Sequence, residues 1–532
     1  MCEINITNFE EKFPEIRKNL ETAKFIGLDL EFSALNPLSN CSPSLFDNPS
    51  QRYAKLKKNV EYTIPVQIGI TAFQFDADGN SYLGNTYTFY IKPAVFSHID
   101  NHFYFQSSSL QFLSYYNFDF NKFVYLGIPY LSKIEEQDLK RKFANDEIGE
   151  GSNSLPLDMD IILCEQVNIV KDWYKKAKNE ESLTFPDISK QFRHNFEFKY
   201  HFHKYCRESF KDVCTFENDG IITIKKDESK VFHNSDLEKE LIKNLVGFRK
   251  VYDLLISLKK PLVAHNVLMD ILILLNNFEG FLPNKYYDFK KLTSKLFPVI
   301  FDTKHICYNI RKSIPGEKLW DNTDLKSLFE YFKNGTGRHL AMLSPAIKIQ
   351  ADKDDYFDKY HEAGWDSFCA GYIFIRMAFL KIHEEHPKSK VFMPVELLNG
   401  VEVYRNKLNV IRGSINHINL EGEDPESIRP PWFVVELNKS KKLNLKELNS
   451  TLSAYGNVEI KPLSWIGHKA IVAVDNYASA KSMLRGLQGN SKFKVQQYSF
   501  LKHSPIARVV LWGGVTLTGA AVLWLMQRKL SR

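Results

Sequence analysis

FIGLDLEF, residues 25–32, is an apolar stretch that carries two acids separated by one residue. Because strand side chains alternate between two faces, a strand here places Asp29 and Glu31 together on one face. The opposite face is apolar and is expected to pack in a core: Ile26, Leu28, Leu30 and Phe32. Two carboxylates so close repel each other unless a cation lies between them, so the pair predicts a divalent-metal site. A solvated strand face is the alternative interpretation of this pair taken alone.

Two more β-rich segments follow along the chain. TIPVQIGITAFQF (63–75) and NTYTFYIKP (85–93) have the residue types and the alternation of strands, and they predict neighbours for the first strand. Residues 36–49 are rich in Asn, Ser and Pro and predict a loop, and QRYAKLKKNV (51–60) after it predicts a helix. The N-terminal part of the chain is therefore expected to start a sheet.

A long interruption comes next. Residues 133–245 lose this regular pattern and mix charges with aromatic residues, and GEGSNS (149–154) is a predicted hinge. This segment is predicted to be an inserted subdomain. The segments on either side of it, 1–132 and 246–400, are predicted to form one α/β domain, because strands alternate with helices in both.

The second part of that domain contains three ordered segments. KKPLVAHNVLMDILILLNNF (259–278) predicts a short strand, a turn with Asn266 as a helix N-cap, and an apolar helix. VIFDTKHI (299–306) predicts a strand, and HEAGWDSFCAGYIFIRMAFL (361–380) predicts a buried helix. A proline-containing linker, 401–430, is predicted to end the domain.

Single acids in these two helices, and one histidine, add to the acidic pair. Asp270 lies in the first turns of an almost entirely apolar helix, where a favourable charge at the helix N-terminus is the other interpretation. GWDSFCAGYIFIRMAF contains no acid except Asp366, and an uncompensated buried carboxylate costs several kcal/mol, so a metal ion is the expected compensation. His361 precedes Asp366 by five residues and alone would be interpreted as a surface histidine. The combination is far more specific than any one member.

Composition and charge exclude few classes of function. The 532 residues include 70 basic and 63 acidic ones, giving a formal charge of +7 that suits an RNA or anionic-membrane partner without requiring one. The seven cysteines are scattered and contain no CxxC pair, which predicts a reducing compartment and no zinc knuckle. The N-terminus, MCEINITNFEEKFPEIRKNL, has no basic region followed by an apolar run and predicts no signal peptide.

Residues 509–526, VVLWGGVTLTGAAVLWLM, are eighteen consecutive residues without a charge, flanked by basic residues on both sides. At about 1.5 Å per residue, a helix of this length spans most of a roughly 30 Å hydrocarbon layer. The segment is predicted to be a transmembrane tail anchor that leaves the catalytic domain in the cytosol. Its short length and basic flanks favour the mitochondrial outer membrane, with the endoplasmic reticulum as the alternative. A buried core helix is the interpretation without a membrane.

Residues 431–500 predict a further domain before this segment. The order is strand, helix, strand, strand, helix, strand (βαββαβ), which is that of an RRM-like fold. RNA-binding RRMs stack bases on aromatic side chains of the sheet, whereas this chain has Ile471 and Ala473 at the expected positions. Trp432 and Phe433 are the candidates to compensate for them. A structural or protein-contact role is therefore favoured over RNA binding.

The order of the five candidate residues resembles that of the DEDDh exonuclease superfamily. The sequence around them is most similar to the poly(A)-specific ribonuclease (PARN) family within it. The matching stretches are FIGLDLEFSAL (25–35), QRYAKLKKNV (51–60), PVQIGITAF (65–73), LVAHNVLMD (262–270), FDTKHI (301–306) and HEAGWDSFCAG (361–371). They run through nearly the whole α/β domain, and the RRM-like segment follows where that family also has one. The resemblance implies an RNase H-like exonuclease domain with a small nucleic-acid-binding domain inserted at 133–245, where QFRHNFEFKYHFHKYC (191–206) is the candidate patch.

The resemblance also implies the chemistry. Two Mg²⁺ ions, or Mn²⁺ in their place, would be bound by Asp29, Glu31 and Asp366, and by Asp270 directly or through water. His361 would act as the general base, and the products would be nucleoside 5′-monophosphates. Three more residues match family positions that contact the terminal nucleotides, with core packing, helix capping and a solvated cation as their other interpretations: Phe32, Asn266 and Lys304.

The apolar C-terminal segment departs from the PARN pattern. A PARN-like chain with such a segment resembles a branch of the family that shortens the 3′ ends of PIWI-interacting RNA (piRNA) precursors at the mitochondrial surface. That branch implies a single-stranded RNA 3′ end as substrate and, as partners, a PIWI protein carrying the pre-piRNA and a Tudor-KH adaptor, and it leaves a homodimer open. The alternative enzyme is a membrane-anchored poly(A)-specific messenger RNA deadenylase. The alternative outside the enzymes is an inactive RNA-tethering adaptor.

Overall fold

The structure is a computed structural model. It describes the chain except for residues 100–101, 146, 149–154, 211, 219, 228–233, 314–318, 351–358, 390, 438–443, 464–467, 489–491, 505–506, 508–519, 525–526 and 528–532. The residues fall into two units. The first unit contains Met1–Cys41, Leu56–Asn409 and Asn419–Gly422, and the second contains Ser42–Lys55, Val410–Ile418 and Glu423–Arg532.

Strands and helices alternate along the chain. Up to residue 130 they are β1 (Cys2–Ile4), α1 (Phe9–Thr22), β2 (Phe25–Phe32), α2 (Pro49–Val60), β3 (Pro65–Asp76), β4 (Ser81–Pro93), α3 (Ser107–Tyr115), α4 (Phe120–Leu126) and β5 (Ile128–Tyr130). Between residues 133 and 246 they are α5 (Lys133–Ala144), α6 (Leu157–Tyr174), β6 (Ser182–Phe185), α7 (Pro186–Gln191), α8 (Phe196–Ser209), β7 (Val213–Asn218), β8 (Ile221–Lys226) and α9 (Asn234–Val246).

The later elements complete both units. Up to residue 409 they are α10 (Arg249–Leu258), β9 (Leu262–Ala264), α11 (Leu268–Leu274), α12 (Tyr286–Leu296), β10 (Ile300–Asp302), α13 (Thr303–Ser313), α14 (Leu325–Lys333), α15 (Gly337–Leu340), β11 (Ala346–Gln350), α16 (Ala363–Glu385), α17 (Pro394–Gly400) and β12 (Lys407–Asn409). After it come β13 (His417–Asn419), β14 (Phe433–Leu437), α18 (Leu445–Ser453), β15 (Val458–Pro462), β16 (Lys469–Val474), α19 (Tyr477–Gly486), β17 (Phe493–Gln497) and α20 (Phe500–His503).

The main sheet of the first unit has the strand order β1-β4-β3-β2-β9-β10, and β5 and β11 pair with other parts of β4. Strand β3 is antiparallel to β2 and β4, whereas β9 is parallel to β2 and to β10. The strand FIGLDLEF is therefore an interior strand, with neighbours on both sides. The predicted mixed α/β class is confirmed.

Helix α16 packs on this sheet where glycine leaves room for it. A Cβ atom on Gly27 would lie 2.3 Å from the carbonyl oxygen of Ser367, and one on Gly69 would lie 1.8 Å from that of Ala363. The hydroxyls of Ser367 and Thr71 are 2.7 Å apart, which adds a buried polar contact. This close approach brings the first turn of α16 over the β2–β3 pair.

The predicted insertion contains its own antiparallel sheet, with the order β6-β8-β7. Helix α8 covers much of the predicted patch at 191–206. Its Phe198 and Phe202 rings are fully buried in a core cluster, and Lys199 Nζ lies 2.8 Å from Glu217 Oε1. Those two rings are core residues and do not offer a surface for stacking on bases.

The second unit contains an antiparallel sheet with the order β15-β16-β14-β17 and the element order βαββαβ from β14 to β17. Phe433 is buried with Leu448 of α18 in the core between sheet and helices, so its predicted role in stacking is wrong. Val434, Ile471 and Ala473 lie on the opposite face and are buried as well. The assignment of this unit as RRM-like stays a prediction, as do the domain boundaries.

Residues Ser42–Lys55 belong to this unit, and two of them, Ser44 and Leu45, contact the sheet through Glu459 of β15. The Glu459 carboxylate accepts hydrogen bonds from Ser44 Oγ at 2.7 and 2.8 Å and from the Leu45 backbone N–H at 2.6 Å. Because Glu459 pairs with Ala473 in the strand register, its side chain points to the same face as Ala473. A segment of the chain itself therefore contacts the sheet face opposite the two helices.

One predicted strand is shorter than expected. The strand predicted at 299–306 ends at Asp302, and α13 begins at Thr303. The Asp302 side chain accepts a hydrogen bond from the backbone N–H of Lys304 at 3.0 Å, which is the interaction that starts a helix. Lys304 therefore lies in the first turn of a helix.

The predicted N-cap role of Asn266 is also wrong. The residue before α11 is Val267, and no side chain caps the helix there. Asn266 has a φ of 65°, in the left-handed region that asparagine tolerates better than most residues. Its Oδ1 accepts a hydrogen bond from Asn409 Nδ2 at 2.9 Å instead.

Two predicted features fall in parts of the chain without a description. The predicted hinge at 149–154 and most of the predicted span at 509–526 lie outside the described residues. Among the residues that are described, none of the helices has the length and apolar character needed to cross a membrane.

Candidate active site

Strand β2 supplies the first two carboxylates. Asp29 pairs with Gly69 of β3 in the register, on the face that α16 covers. Glu31 lies two residues further on the same face and is 8% exposed, while Asp29 is half-buried. The alternation predicted from FIGLDLEF therefore directs both acids to the side of the sheet where α16 begins.

Helix α16 supplies Asp366 in its first turn, where the side chain is 5% exposed. Its Oδ2 accepts a hydrogen bond from the backbone N–H of His361 at 3.0 Å. Its Oδ1 is buried and has no hydrogen-bond partner among the described residues. A buried carboxylate oxygen without a donor is costly unless a cation or water occupies the adjacent space.

Helix α11 supplies Asp270, which is buried. The turn before α11 is held by a residue that the sequence prediction did not include, Asp302 at the end of β10. This fully buried carboxylate accepts backbone hydrogen bonds from Asn266 at 2.9 Å, Val267 at 3.2 Å and Asn409 at 2.8 Å, besides those from the start of α13. Asp302 therefore positions the turn that carries Asp270. An acid just before a helix start, within FDTKHI, was the sequence signal for it.

The four predicted carboxylates act on one another electrostatically. Burial, with the charges of Asp366, Asp270 and Glu31, raises the pKa of Asp29 well above its usual range. Burial, followed by the charges of Asp366 and Asp270, does the same to the pKa of Glu31. Burial raises the pKa of Asp270 to about 8 and that of Asp366 to about 7. Without a cation, the folded chain holds these acids at an energetic cost.

His361 completes the group. One ligand atom each of Glu31, His361 and Asp366 can be chosen so that all three lie within 4.8 Å of one another. The residue has a φ of 65°, a conformation that its N–H bond to Asp366 helps to hold. Burial, together with the charge of Lys326, lowers the pKa of the His361 imidazole. The structure thus brings all five predicted residues together.

The three predicted RNA contacts are less clearly grouped. Asn266 and Lys304 meet at Asp302, because both backbone N–H groups donate to its Oδ1. Phe32 follows an irregularity in the β2–β3 register and is half-buried. Their roles in binding RNA stay predictions.

Comparison with known proteins assigns the family. Residues 4–374 match the model of the CAF1 family ribonucleases, which is more than half of the chain. The chain belongs to this ribonuclease family. The pre-piRNA 3′-exonuclease trimmer of Bombyx mori is 34% identical to it, over 99% of both chains. The resemblance to the PARN family that the motifs predicted is therefore confirmed.

Other members of the family are more distant. The mouse poly(A)-specific ribonuclease PNLDC1 is 26% identical over 99% of this chain and 100% of its own. The poly(A)-specific ribonuclease PARN of Xenopus laevis is 28% identical over 93% of this chain and 80% of its own. The solved RNase domain of yeast Pop2 is 13% identical, covers 72% of this chain and 87% of its own, and has a TM-score of 0.34. Membership makes the chain a 3′–5′ exoribonuclease, as predicted, with RNA as its substrate.

The residues present fit divalent metal ions. The four acids offer oxygen donors, which Mg²⁺ and Mn²⁺ prefer, and they converge in a buried site with raised pKa values. The buried Oδ1 of Asp366 accepts no hydrogen bond from any residue that the structure describes, so it can coordinate such an ion. A cation would remove the mutual repulsion that the fold otherwise maintains.

Proposed function

We propose that this ribonuclease uses two Mg²⁺ ions to shorten the 3′ ends of PIWI-bound pre-piRNAs at the mitochondrial outer membrane. The convergence of the four acids with His361 carries the chemical part of the proposal. The 34% identity with the silkworm trimmer, over nearly the full length of both chains, supports the substrate.

The acids would hold the metal ions. Asp29, Glu31 and Asp366 are the direct ligands in this proposal, and Asp270 binds the second ion directly or through water. When bound, Mg²⁺ or Mn²⁺ supplies Lewis-acid polarisation of the scissile phosphate and offsets the charge on the leaving 3′-oxygen. The raised pKa values of the four acids mean that ion binding also displaces protons from the site.

His361 would move the proton. Its lowered pKa keeps the imidazole neutral near pH 7, so a ring nitrogen can accept a proton from the attacking water. The water oxygen bonds to the phosphorus as the P–O bond to the 3′-oxygen of the preceding nucleotide breaks, and that 3′-oxygen takes up a proton from solvent. Each cycle releases one nucleoside 5′-monophosphate and leaves an RNA with a new 3′-hydroxyl.

Exchange of Asp366 for Asn tests this site. Asp366→Asn keeps the side-chain shape and removes the charge, and we expect it to reduce Mg²⁺-dependent shortening of a 3′-hydroxyl RNA by roughly 100-fold or more. The matched control is Asp78→Asn, which changes an exposed acid in the turn between β3 and β4 and should leave the rate unchanged. Undiminished activity of Asp366→Asn would sink the assignment.

The substrate is tested separately. Purified protein is given RNAs of equal length that end in adenosines or in mixed sequence, and the 3′ ends of PIWI-bound RNAs are sequenced with and without the protein. Equal shortening of both RNAs, with longer PIWI-bound RNAs in the absence of the protein, is expected for trimming. An unchanged length distribution would remove the trimming proposal and leave the nuclease intact.

A membrane-anchored poly(A)-specific messenger RNA deadenylase is the second candidate, because relatives named poly(A)-specific ribonuclease match over most of the chain. Strict dependence on 3′ adenosines in the same assay would favour it. An inactive adaptor predicts no shortening of either RNA. The five grouped site residues argue against that alternative.

The membrane part of the proposal rests on residues 509–526, an uncharged run with basic flanks. In this proposal the catalytic unit lies in the cytosol beside a PIWI protein and a Tudor-KH adaptor. Deletion of 509–526 should release the protein from the mitochondrial fraction without lowering its activity on free RNA. Retention of the deleted form on mitochondria would exclude this segment as the anchor. Location of the full chain in the endoplasmic reticulum would exclude the mitochondrial outer membrane as its site.

A further inference from the structure

Two aromatic rings that the four-acid site does not include lie against His361. The ring centroids of Tyr116 and His361 are 3.9 Å apart with planes tilted by 44°, and those of Phe112 and His361 are 4.8 Å apart in an edge contact. Phe112 and Tyr116 are also 4.9 Å from each other. Because they are four residues apart at the end of α3, both point from the same helix face. The imidazole therefore has aromatic contacts with two side chains of one element.

The start of helix α3 is hydrogen-bonded to the residues that directly follow β2, the strand that carries Glu31. The backbone N–H of Gln106, just before the helix, donates to the Ser33 carbonyl at 3.0 Å. The Gln106 side-chain oxygen accepts from the backbone N–H groups of Leu35 at 3.2 Å and Asn36 at 3.1 Å. These bonds tie the start of α3 to the residues that follow β2.

The end of α3 is fixed as well. Leu113 is buried in a cluster with Phe123, on a different face from the two rings. Asn117 has a φ of 59° and ends the helix, and the Phe118 N–H donates to the Leu113 carbonyl at 2.9 Å. This is the hydrogen bond of a Schellman motif, in which a residue with left-handed backbone follows the end of an α-helix. These bonds hold the backbone of Tyr116 at the position from which its ring contacts His361.

The residues on both sides of His361 also form hydrogen bonds. The Tyr360 hydroxyl donates to Glu330 at 2.7 Å, and the Ala363 N–H donates to Gln67 Oε1 at 2.9 Å. The backbone N–H of His361 itself donates to Asp366, so rotation of the side chain is the motion on which its ring neighbours act. Ring contacts with Phe112 and Tyr116 restrict that rotation.

We propose that Tyr116, supported by Phe112, is a positioning residue that holds the His361 imidazole in line with the acids. The inference rests on the proposed role of His361 as general base. Tyr116 is 37% exposed and its ring is in contact with the imidazole, whereas Tyr125 on α4 is 71% exposed. Tyr116 thus acts through His361 and differs from a ring that only stacks on a nucleobase.

The test combines Tyr116→Ala with His361→Ala and uses Tyr125→Ala, which removes an exposed ring of α4, as the matched control. In the otherwise unchanged protein, Tyr116→Ala should lower kcat by about 10- to 100-fold, the scale expected for a misplaced catalytic group, with KM within about twofold. Tyr116→Phe keeps the ring and should retain nearly full kcat, and Tyr125→Ala should change neither constant. Tyr116→Gln carries the same test if the alanine variant does not fold.

The double variant decides between positioning and direct contact with RNA. In the His361→Ala background, Tyr116→Ala should cause no further loss of kcat, because the group that it positions is gone. The same loss in both backgrounds, or a rise in KM with unchanged kcat, would overturn the proposal and favour stacking on the RNA. Full kcat in His361→Ala alone would overturn the general-base role first, and a failure of the proposed function is distinguished in this way.

Discussion

The main sheet of the first unit and the smaller sheet of the second unit use the same strand alternation for opposite purposes. On β2, the face towards α16 carries Asp29 and Glu31, and burial raises both pKa values. On the second sheet, the face away from the helices carries Val434, Ile471 and Ala473, all buried. The first sheet therefore holds charge that needs a cation, and the second holds apolar groups that need only a cover.

Their acids differ in the same way. Asp366 has one hydrogen bond to its Oδ2 and none to its buried Oδ1 among the described residues. Glu459 on β15 accepts hydrogen bonds from Ser44 and Leu45 through both of its oxygens. An acid left short of donors indicates a binding site, whereas an acid with its donors in place indicates a structural contact.

Gly69→Ala should break the first sheet's site with the largest effect. A Cβ there would lie 1.8 Å from the backbone carbonyl of Ala363, so the first turn of α16 must move and take Asp366 with it. We expect a loss of about 4 kcal/mol or more in unfolding free energy, and loss of nuclease activity.

Gly79→Ala is the control for that change, because its Cβ would meet the flexible carboxylate of Asp76 rather than backbone. It should cost no more than about 0.5 kcal/mol. Urea unfolding and RNA shortening are measured on both variants. Equal stability of the two would mean that the packing of α16 on β3 is not tight at Gly69.

The pH dependence of metal-free stability gives the next largest effect. Burial raises the pKa of Asp270 to about 8 and that of Asp366 to about 7, from a usual value of 3.8. The native state therefore binds more protons than the unfolded state, and the unfolding free energy falls as pH rises through this range. In EDTA we expect a fall on the order of 2–4 kcal/mol between about pH 5 and pH 8, measured by urea unfolding.

Two additions locate the source of that fall. Asp366→Asn should flatten part of it, because the amide does not titrate, and saturating Mg²⁺ should offset it by binding the ionised acids. Stability that rises with pH in EDTA would contradict the clustering of buried acids.

Glu459→Gln tests the second sheet. It should lower the unfolding free energy, whereas Asp366→Asn should raise that of the metal-free protein near pH 8. The amide oxygen can still accept from Ser44 and Leu45, but the substitution removes the negative charge that strengthens both bonds. We expect a loss of about 1–3 kcal/mol in stability, with nuclease kcat unchanged. Exposed Glu426→Gln in the same unit is the control. A stabilised Glu459→Gln would remove the contrast between the two sheets.

Local patterns predicted the parts of the site that local geometry determines. Alternation in FIGLDLEF was enough to place Asp29 and Glu31 on one face, and the isolated acid in an apolar helix was enough to single out Asp366. The contact of Tyr116 with His361 was missed because it joins residues far apart in sequence. Close packing at Gly69 was missed for the same reason, since glycine inside a strand has several explanations.

The local errors have physical causes. VIFDTKHI has the β-branched and aromatic residues of a strand, but Asp302 accepts N–H groups from the following residues and starts a helix inside it. Asn266 was predicted as an N-cap because asparagine favours that position, but it also tolerates left-handed backbone. For Phe433, alternation alone did not say which of the two faces is the core.

Trp432→Ala should have the smallest effect of these substitutions. It tests whether the second sheet, unlike the first, has no part in binding RNA. The Trp432 ring lies 5.4 Å from Phe46 and 5.8 Å from Tyr498, so its contacts are within the second unit. A base stacked on an aromatic ring contributes about 1–3 kcal/mol, which is roughly a 5- to 150-fold change in affinity. We expect the affinity of the full chain for single-stranded RNA to change by less than about twofold, measured by fluorescence anisotropy in EDTA. A larger loss would mean that the second sheet binds RNA through Trp432 even though its central residues are aliphatic and buried.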